Sequence, residues 1–134
     1  MQKYLLSIIT VVKNDEKNIQ KTIESVLNQK NLRYEYIIID GNSKDKTLKK
    51  IQKYKKKIHK IISANDKGIY DAMNKGIKVA KGDIIVFCNS GDTFYKDSLK
   101  KVIKLFKKYN YDFVFGTVMR NYMKGKILKH GFSF

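Results

Sequence analysis

Three short tetrads carry the residues best suited to chemistry: Asp40-Gly41-Asn42-Ser43, Asn65-Asp66-Lys67-Gly68 and Asn89-Ser90-Gly91-Asp92. Each offers one carboxylate in a chain of 134 residues that has 12 acidic side chains against 29 Lys and Arg, a formal net charge of +17. Carboxylates at such turns can hold a hard cation, which takes oxygen ligands, or accept hydrogen bonds from ligand hydroxyls. Lys13-Asn14-Asp15 is a further polar segment of the same kind. An aspartate ahead of a helix can also do no more than cap its free N–H groups. That capping role is expected for Asp15 and Asp97. Asp92 is free for function, because the helix after it is expected to start only near Asp97.

Other chemistries lack their parts. No GxGxxG follows the first apolar run, so the phosphate turn of dinucleotide-binding proteins is missing, and no GxxxxGK[ST] exists for a P-loop. GxSxG is absent, and with it the strained serine turn of the α/β-hydrolases. His59 and His130 are far apart and Cys88 has no near partner, so no zinc cluster is visible. Cys88 reads as a core residue.

The elements that must position the tetrads follow from the apolar pattern. Leu5 to Val12 is a nearly continuous β-branched run, as in a strand covered on both faces. Ile19, Ile23, Val26 and Leu27 recur at helical spacing after Asn14-Asp15. Tyr34 to Ile39 predicts a second strand, and Ser43 a cap for a short helix with Leu48, Ile51 and Tyr54. Ile58 to Ser63 predicts a third strand. Ile69, Ala72, Met73, Ile77 and Ala80 predict a helix stopped by Gly82. Asp83 to Cys88 predicts a fourth strand with the unbroken apolar core Ile84-Ile85-Val86-Phe87. A helix with Leu99, Val102, Ile103 and Phe106 on one face follows. Asp112 to Phe115 predicts a fifth strand, and Val118 to Leu128 a hairpin turning at Lys124-Gly125.

Strands that alternate with helices imply an α/β fold with a mainly parallel sheet, right-handed crossovers and helices on both faces. In such a sheet, ligands bind outside the carboxyl ends of the strands. Each tetrad follows a predicted strand, so the three carboxylates are expected along one rim. No repeat, low-complexity segment or proline marks a boundary. The chain therefore reads as one domain, residues 1–134.

Ser7-Ile8-Ile9-Thr10-Val11-Val12, Asn14 and Ser25-Val26-Leu27-Asn28-Gln29 together resemble the opening of the family 2 inverting glycosyltransferases. Ile39-Asp40-Gly41-Asn42-Ser43-Lys44-Asp45-Lys46-Thr47 resembles that family's IDGxSxDxT segment, and Asp66 to Gly76 its DxGxYDAxNxG stretch. Ala80-Lys81-Gly82-Asp83 is similar to its AxGD turn, and Asn89-Ser90-Gly91-Asp92 stands where it carries a DxD-type metal motif. The resemblance covers residues 5–95. It implies a Rossmann-like GT-A fold that binds a nucleotide-diphospho-sugar, foremost a UDP-sugar, together with Mg2+ or Mn2+. It implies donor-binding roles for Thr10, Val12, Asn14, Asp40, Asn42, Asp66, Lys67, Asn89 and Ser90, and a metal-binding role for Asp92. Asn89 and Gly91 stand where the motif carries acids, Gly41 replaces a second acid, and Lys13 occupies a place often held by an aromatic. The family's general base lies further along the chain, in the acceptor-binding half, so it is expected beyond Phe134. The acceptor implied is a glycan or lipid-linked molecule.

Composition bounds the remainder. Hydrophobic residues make up 43% of the chain, enough for a packed core, and no run approaches the ~20 apolar residues of a membrane helix. A lone cysteine suits a reducing cytoplasm. The charge excess is almost all lysine, with only Arg33 and Arg120 as arginines, which argues against reading of specific nucleic-acid sequence. It leaves peripheral contact with the inner face of a membrane open, and an apolar edge near Phe113, Phe115, Phe132 and Phe134 leads us to expect homo-oligomers. The rival reading is a non-catalytic basic module for polyanions, either nucleic acid or an anionic membrane surface. A receiver-like domain would explain the alternation but not the DxGxYDAxNxG stretch.

Overall fold

The computed structural model describes residues 4–109, 111–114, 118–121 and 127–130. The elements run β1 (Leu6–Val12), α1 (Ile19–Leu27), β2 (Tyr34–Asp40), α2 (Thr47–Gln52), a 3₁₀ turn (Lys55–Lys57), β3 (Lys60–Ser63), α3 (Ile69–Val79), β4 (Ile84–Phe87), α4 (Ser98–Lys108), β5 (Val118–Asn121) and β6 (Ile127–His130). They fall into two compact units, Met1–Ile103 and Lys104–Phe134. No helix among the described residues is long and apolar enough to cross a membrane.

The first unit is built on a four-stranded sheet of order β3-β2-β1-β4, parallel throughout. β1 is buried along its whole length, as the Leu-Ser-Ile-Ile-Thr-Val-Val run requires of a central strand. One face of the sheet presents Ile9, Val11, Ile37 and Ile39 to Ala72 of α3, with Ile62, Met73, Val79 and Ala80 packed around them. Gly76 lets that helix come close, since a Cβ there would lie 2.6 Å from Ile9 Cγ2. The opposite face presents Leu6, Ile8, Tyr36 and Ile38, all fully buried. Its cover comes from the apolar stripes of the other helices: Ile19, Ile23 and Val26 of α1, Ile51 of α2, and Leu99 and Ile103 of α4. Buried Gln29 links the end of α1 to the start of α4, donating from Nε2 to Tyr95 O at 2.9 Å and accepting from Leu99 N at 3.4 Å.

The register sets the ends of the strands level. Val12 pairs with Asp40, and Asp40 with Ser63. β4 stops opposite Ile9, but Cys88 N and Ser90 N go on to donate to Ile9 O and Val11 O, at 2.9 and 3.1 Å. The chain after β4 is thereby carried up beside the end of β1. Asp40 is fully buried and ties this rim together. Its carboxylate accepts Ser43 N at 3.1 Å, Ser43 Oγ at 2.5 Å and Ser63 Oγ at 2.6 Å.

Several local expectations are corrected. Ser43 does not cap α2, which starts at Thr47; its hydroxyl is engaged by Asp40. Asp15 does not cap α1 with its side chain, since the N-cap position is Asn18 and carries no side-chain cap. β3 starts at Lys60 rather than Ile58. In β4 the apolar run is covered on one face only: Ile84 is 8% exposed, while Ile85 and Phe87 are 39% and 37% exposed. Among the described residues β4 is an outer strand of the sheet, and alternate side chains of a strand point to opposite faces. Asp112, Phe113 and Val114 form no strand, and Phe113 is 71% exposed. In the second unit, β5 and β6 pair antiparallel as the expected hairpin, and its turn at Lys124-Gly125 lies outside the described residues.

Two stability contrasts follow. Ile38→Ala, in the fully buried centre of β2, should cost about 2–5 kcal/mol in denaturant unfolding, and Ile85→Ala clearly less, because most large-to-small losses scale with burial. Asp40→Ala should cost about 1–3 kcal/mol, because it strands the Ser43 and Ser63 donors in the interior. A midpoint unchanged by Asp40→Ala would mean that the carboxylate is not a structural anchor.

Candidate functional site

A cleft of about 500 Å³ opens at the carboxyl end of β1. Its walls come from three places: Val11 to Asp15 at the end of β1, Asp66, Gly68, Ile69 and Ala72 around the start of α3, and Asn89 and Ser90 after β4. β1 has β2 on one side and β4 on the other, so successive connections diverge here and leave a crevice.

The loops that form the walls are held by one another. Asn14 and Asn42 both sit at positive φ, 50° and 58°, which asparagine tolerates better than most residues. Asn14 N donates to Ser43 Oγ at 2.8 Å, and Asn14 Oδ1 accepts Lys44 N at 2.7 Å. Asp15 N donates to Thr47 Oγ1 at 2.9 Å. Asn42 Nδ2 reaches Asn65 Oδ1 at 2.9 Å, and Lys75 Nζ reaches Asn65 O at 2.5 Å. Asp71 accepts Lys67 N at 3.0 Å and pairs with Lys75 at 3.0 Å. The Lys67 amide first, and Lys75 after it, hold the Asp71 carboxyl below its ordinary range.

Asp66 turns into this cleft. Its Oδ1 accepts Gly68 N at 3.0 Å, and Gly68, at φ 115°, leads into α3. Its Oδ2 leans over Gly41, where a Cβ would come within 2.3 Å of it. The missing side chain at position 41 is therefore the space that Asp66 uses. On the far wall, Asn89 to Asp92 form a β-turn closed by Asp92 N donating to Asn89 O at 2.9 Å. Gly91 sits at φ 95°, as the third residue of a type II turn demands. Thr22 Oγ1 fixes the turn from α1, accepting Gly91 N at 3.0 Å and donating to Asp92 O at 2.8 Å.

Of the residues expected to bind donor, Val12, Asn14, Asp66, Asn89 and Ser90 line the cleft. Thr10, Asp40, Asn42 and Lys67 do not. Thr10 is fully buried, its hydroxyl donating to Cys88 O at 2.7 Å and bonded to Tyr36 Oη at 2.9 Å. Lys67 is exposed outside the lining, and Asn42 braces Asn65. Burial pushes the Cys88 thiol up to about 12, which suits a core side chain and not a nucleophile. Asp15, expected only to cap a helix, is a cleft residue that the sequence reading did not single out. It lines the cleft, and its Oδ2 accepts Ser90 Oγ at 2.6 Å. Its position in the polar segment that follows a strand is the same signal that marked the other aspartates.

Among the described residues no three His, Cys, Asp or Glu side chains gather to hold a metal. The oxygen donors present nevertheless suit a hard divalent cation whose remaining ligands are phosphates and water. Asn89 Oδ1 is buried at the cleft without a hydrogen-bond partner, an unmet acceptor of the type a cation satisfies. Asp92 is exposed on the same turn.

Comparison with known proteins gives this geometry its context. The family model for glycosyl transferase family 2 matches residues 7–132. The UDP-Glc:alpha-D-GlcNAc-diphosphoundecaprenol beta-1,3-glucosyltransferase WfgD of Escherichia coli is 31% identical over 132 residues, 96% of this chain and 52% of that protein. The poly(ribitol-phosphate) beta-N-acetylglucosaminyltransferase TarP of Staphylococcus aureus is 34% identical over 116 residues, 83% of this chain and 36% of that protein. The chain thus spans about half or less of the length of these relatives. The structure of S. aureus TarS 1–349 in complex with UDP-GlcNAc superposes with a TM-score of 0.73 at 26% identity, covering 78% of this chain and 32% of that one. The mannosyltransferase PcManGT of Pyrobaculum calidifontis, in complex with GDP-Man and Mn2+, shares the fold with a TM-score of 0.69 at 19% identity, covering 76% of this chain and 32% of that one. The fold is that of the GT-A glycosyltransferases. WfgD, TarP and PcManGT are sugar transferases by name, and none of the comparisons supports a non-catalytic polyanion-binding module. With its parallel sheet, its cleft beside β1 and a family match over residues 7–132, the chain belongs to glycosyl transferase family 2.

Proposed function

We propose that this chain is the donor- and metal-binding part of an inverting glycosyltransferase. It would take a nucleotide-diphospho-sugar, foremost a UDP-sugar, and serve transfer to a glycan or lipid-linked acceptor in polysaccharide synthesis. The observation that carries this reading is the cleft itself. A crevice at the switch point of the sheet sets the Asp66 carboxylate on one wall and the polar turn Asn89–Ser90 on the other. The reading is supported by WfgD, whose name specifies UDP-Glc, and by the TarS complex with UDP-GlcNAc.

In this reading Val12, Asn14 and Asp66 bind the nucleoside end, and Asn89, Ser90 and Asp92 face the diphosphate. Lys67 adds positive charge near the phosphates. Asp40 and Asn42 act through the loops they hold, as positioning residues. A divalent cation, Mg2+ or Mn2+, would sit against Asp92 and Asn89 and neutralise charge on the leaving diphosphate. The Mn2+ in the PcManGT structure favours a divalent ion without choosing between the two. Transfer also needs a base within hydrogen-bond reach of the acceptor hydroxyl. We assign that base, with the acceptor site, to the part of the relatives' length that this chain does not span. A cytoplasmic enzyme working at the inner face of a membrane is consistent with a lysine-rich surface and a lipid-linked acceptor.

Calorimetric titration with UDP, with and without Mn2+, is the test. UDP should bind, and Mn2+ should tighten it. Asp92→Asn should abolish the Mn2+ dependence and leave the thermal midpoint nearly unchanged, because an exposed carboxylate supports no packing. Absence of binding to UDP, GDP and TDP alike would overturn the reading. A large loss of stability on Asp92→Asn would mark that residue as structural.

A further inference from the structure

The turn after β4 has an acid too few for a two-carboxylate cation site, since position 91 is glycine and position 89 is asparagine. The structure brings a carboxylate to that turn from another element. Asp15, three residues past the end of β1, accepts Ser90 Oγ at 2.6 Å through Oδ2. The same Oδ2 lies 4.0 Å from the point where a Cβ on Gly91 would be. It therefore occupies the neighbourhood that a short acidic side chain at position 91 would reach.

We propose that Asp15 supplies the second carboxylate of the divalent-cation site, in place of the one absent at position 91. This deepens the donor-binding reading and rests on it. Three observations converge. Asp15 and Asn89 line the same cleft, and Asn89 Oδ1 is buried there with no partner. The Asp15 carboxylate is held in place, with Oδ1 accepting Asn18 Nδ2 at 2.7 Å and Oδ2 accepting Ser90 Oγ. A carboxylate oxygen has two acceptor sites, so the hydrogen bond from Ser90 leaves one on Oδ2 for the cation. Nor is the carboxylate consumed as a helix cap, because α1 begins at Ile19 behind Asn18 without a side-chain cap. A glycine is retained at position 91 for a backbone reason, the φ of 95° that the turn requires. An acid is better placed on β1's loop than strained into that turn.

The experiment is Mn2+ binding to the UDP-loaded 134-residue chain, read by the electron paramagnetic resonance of free Mn2+ and by calorimetry. Asp15→Asn keeps an oxygen for Ser90 and should weaken Mn2+ by at least the roughly 10–100-fold that loss of an outer partner costs. The thermal midpoint should hold. Ser90→Ala should weaken Mn2+ far less. In the wild-type chain, Mn2+ with UDP should broaden the amide resonances of Asp15 and Asn89 together, a readout independent of any variant. Mn2+ affinity within twofold of wild type in Asp15→Asn would overturn the proposal while leaving the donor reading intact. Equal losses in Asp15→Asn and Ser90→Ala would reduce Asp15 to a support for Ser90 and also overturn it. A wild-type chain that binds UDP with no Mn2+ effect would remove the cation site altogether, and one that binds no nucleotide would remove the donor reading first.

Discussion

Burial of β1 and β2 on both faces is the constraint on which the rest depends. Every side chain of β1 is withdrawn from water, and so are the last five of β2. Unpaired backbone groups in such a place are costly, so both strands must be hydrogen-bonded on each side and covered above and below. The parallel order β3-β2-β1-β4 meets the first demand, and helices on the two faces meet the second. Polar side chains are then excluded from the middle of the sheet unless they are paired there, as Thr10 is with Tyr36 and Cys88 O. Chemistry is pushed to the strand ends.

At that rim the same requirement reappears on a smaller scale. The loops cannot rest on apolar packing, so they are braced by hydrogen bonds between asparagine, serine, threonine and aspartate. Asp40 binds Ser43 and Ser63; Asn14 binds Ser43 and Lys44; Asn42 binds Asn65. Such mutual bracing sets the first contacts of a ligand on a fixed frame, which limits the ordering that binding must accomplish. It also explains why an acid at a strand end is not by itself a ligand-binding group. Asp40 satisfies the frame, whereas Asp66 and Asp15 reach the cleft.

The charge balance makes the cleft's acids meaningful. In a chain of net charge +17, a diphosphate is attracted from any direction, while a cation is not. Local oxygen donors would be needed to hold a divalent ion against that background, and the cleft has oxygen-bearing side chains on β1's loop and on the turn after β4.

Alternation of apolar runs with helical spacing made the α/β class, the parallel sheet and the strand ends legible from residues alone, because period and burial are local properties. The order of motifs from Ser7 to Asp92 likewise disclosed the family, since it recorded side chains at each strand end. The sequence could not show which strand would lie at the edge, so Ile85 and Phe87 looked as buried as Ile37. Nor could it show which aspartate each loop would consume. Asp40 and Asp66 both stand near strand ends, yet one is sealed by two serines and the other leans over Gly41 into the cleft. Asp15 looked like a cap until the pairing of Ser90 N with Val11 O brought the turn after β4 beside it. Asp15 and Ser90 lie 75 residues apart in the chain, and only the register of the folded sheet decides such pairs.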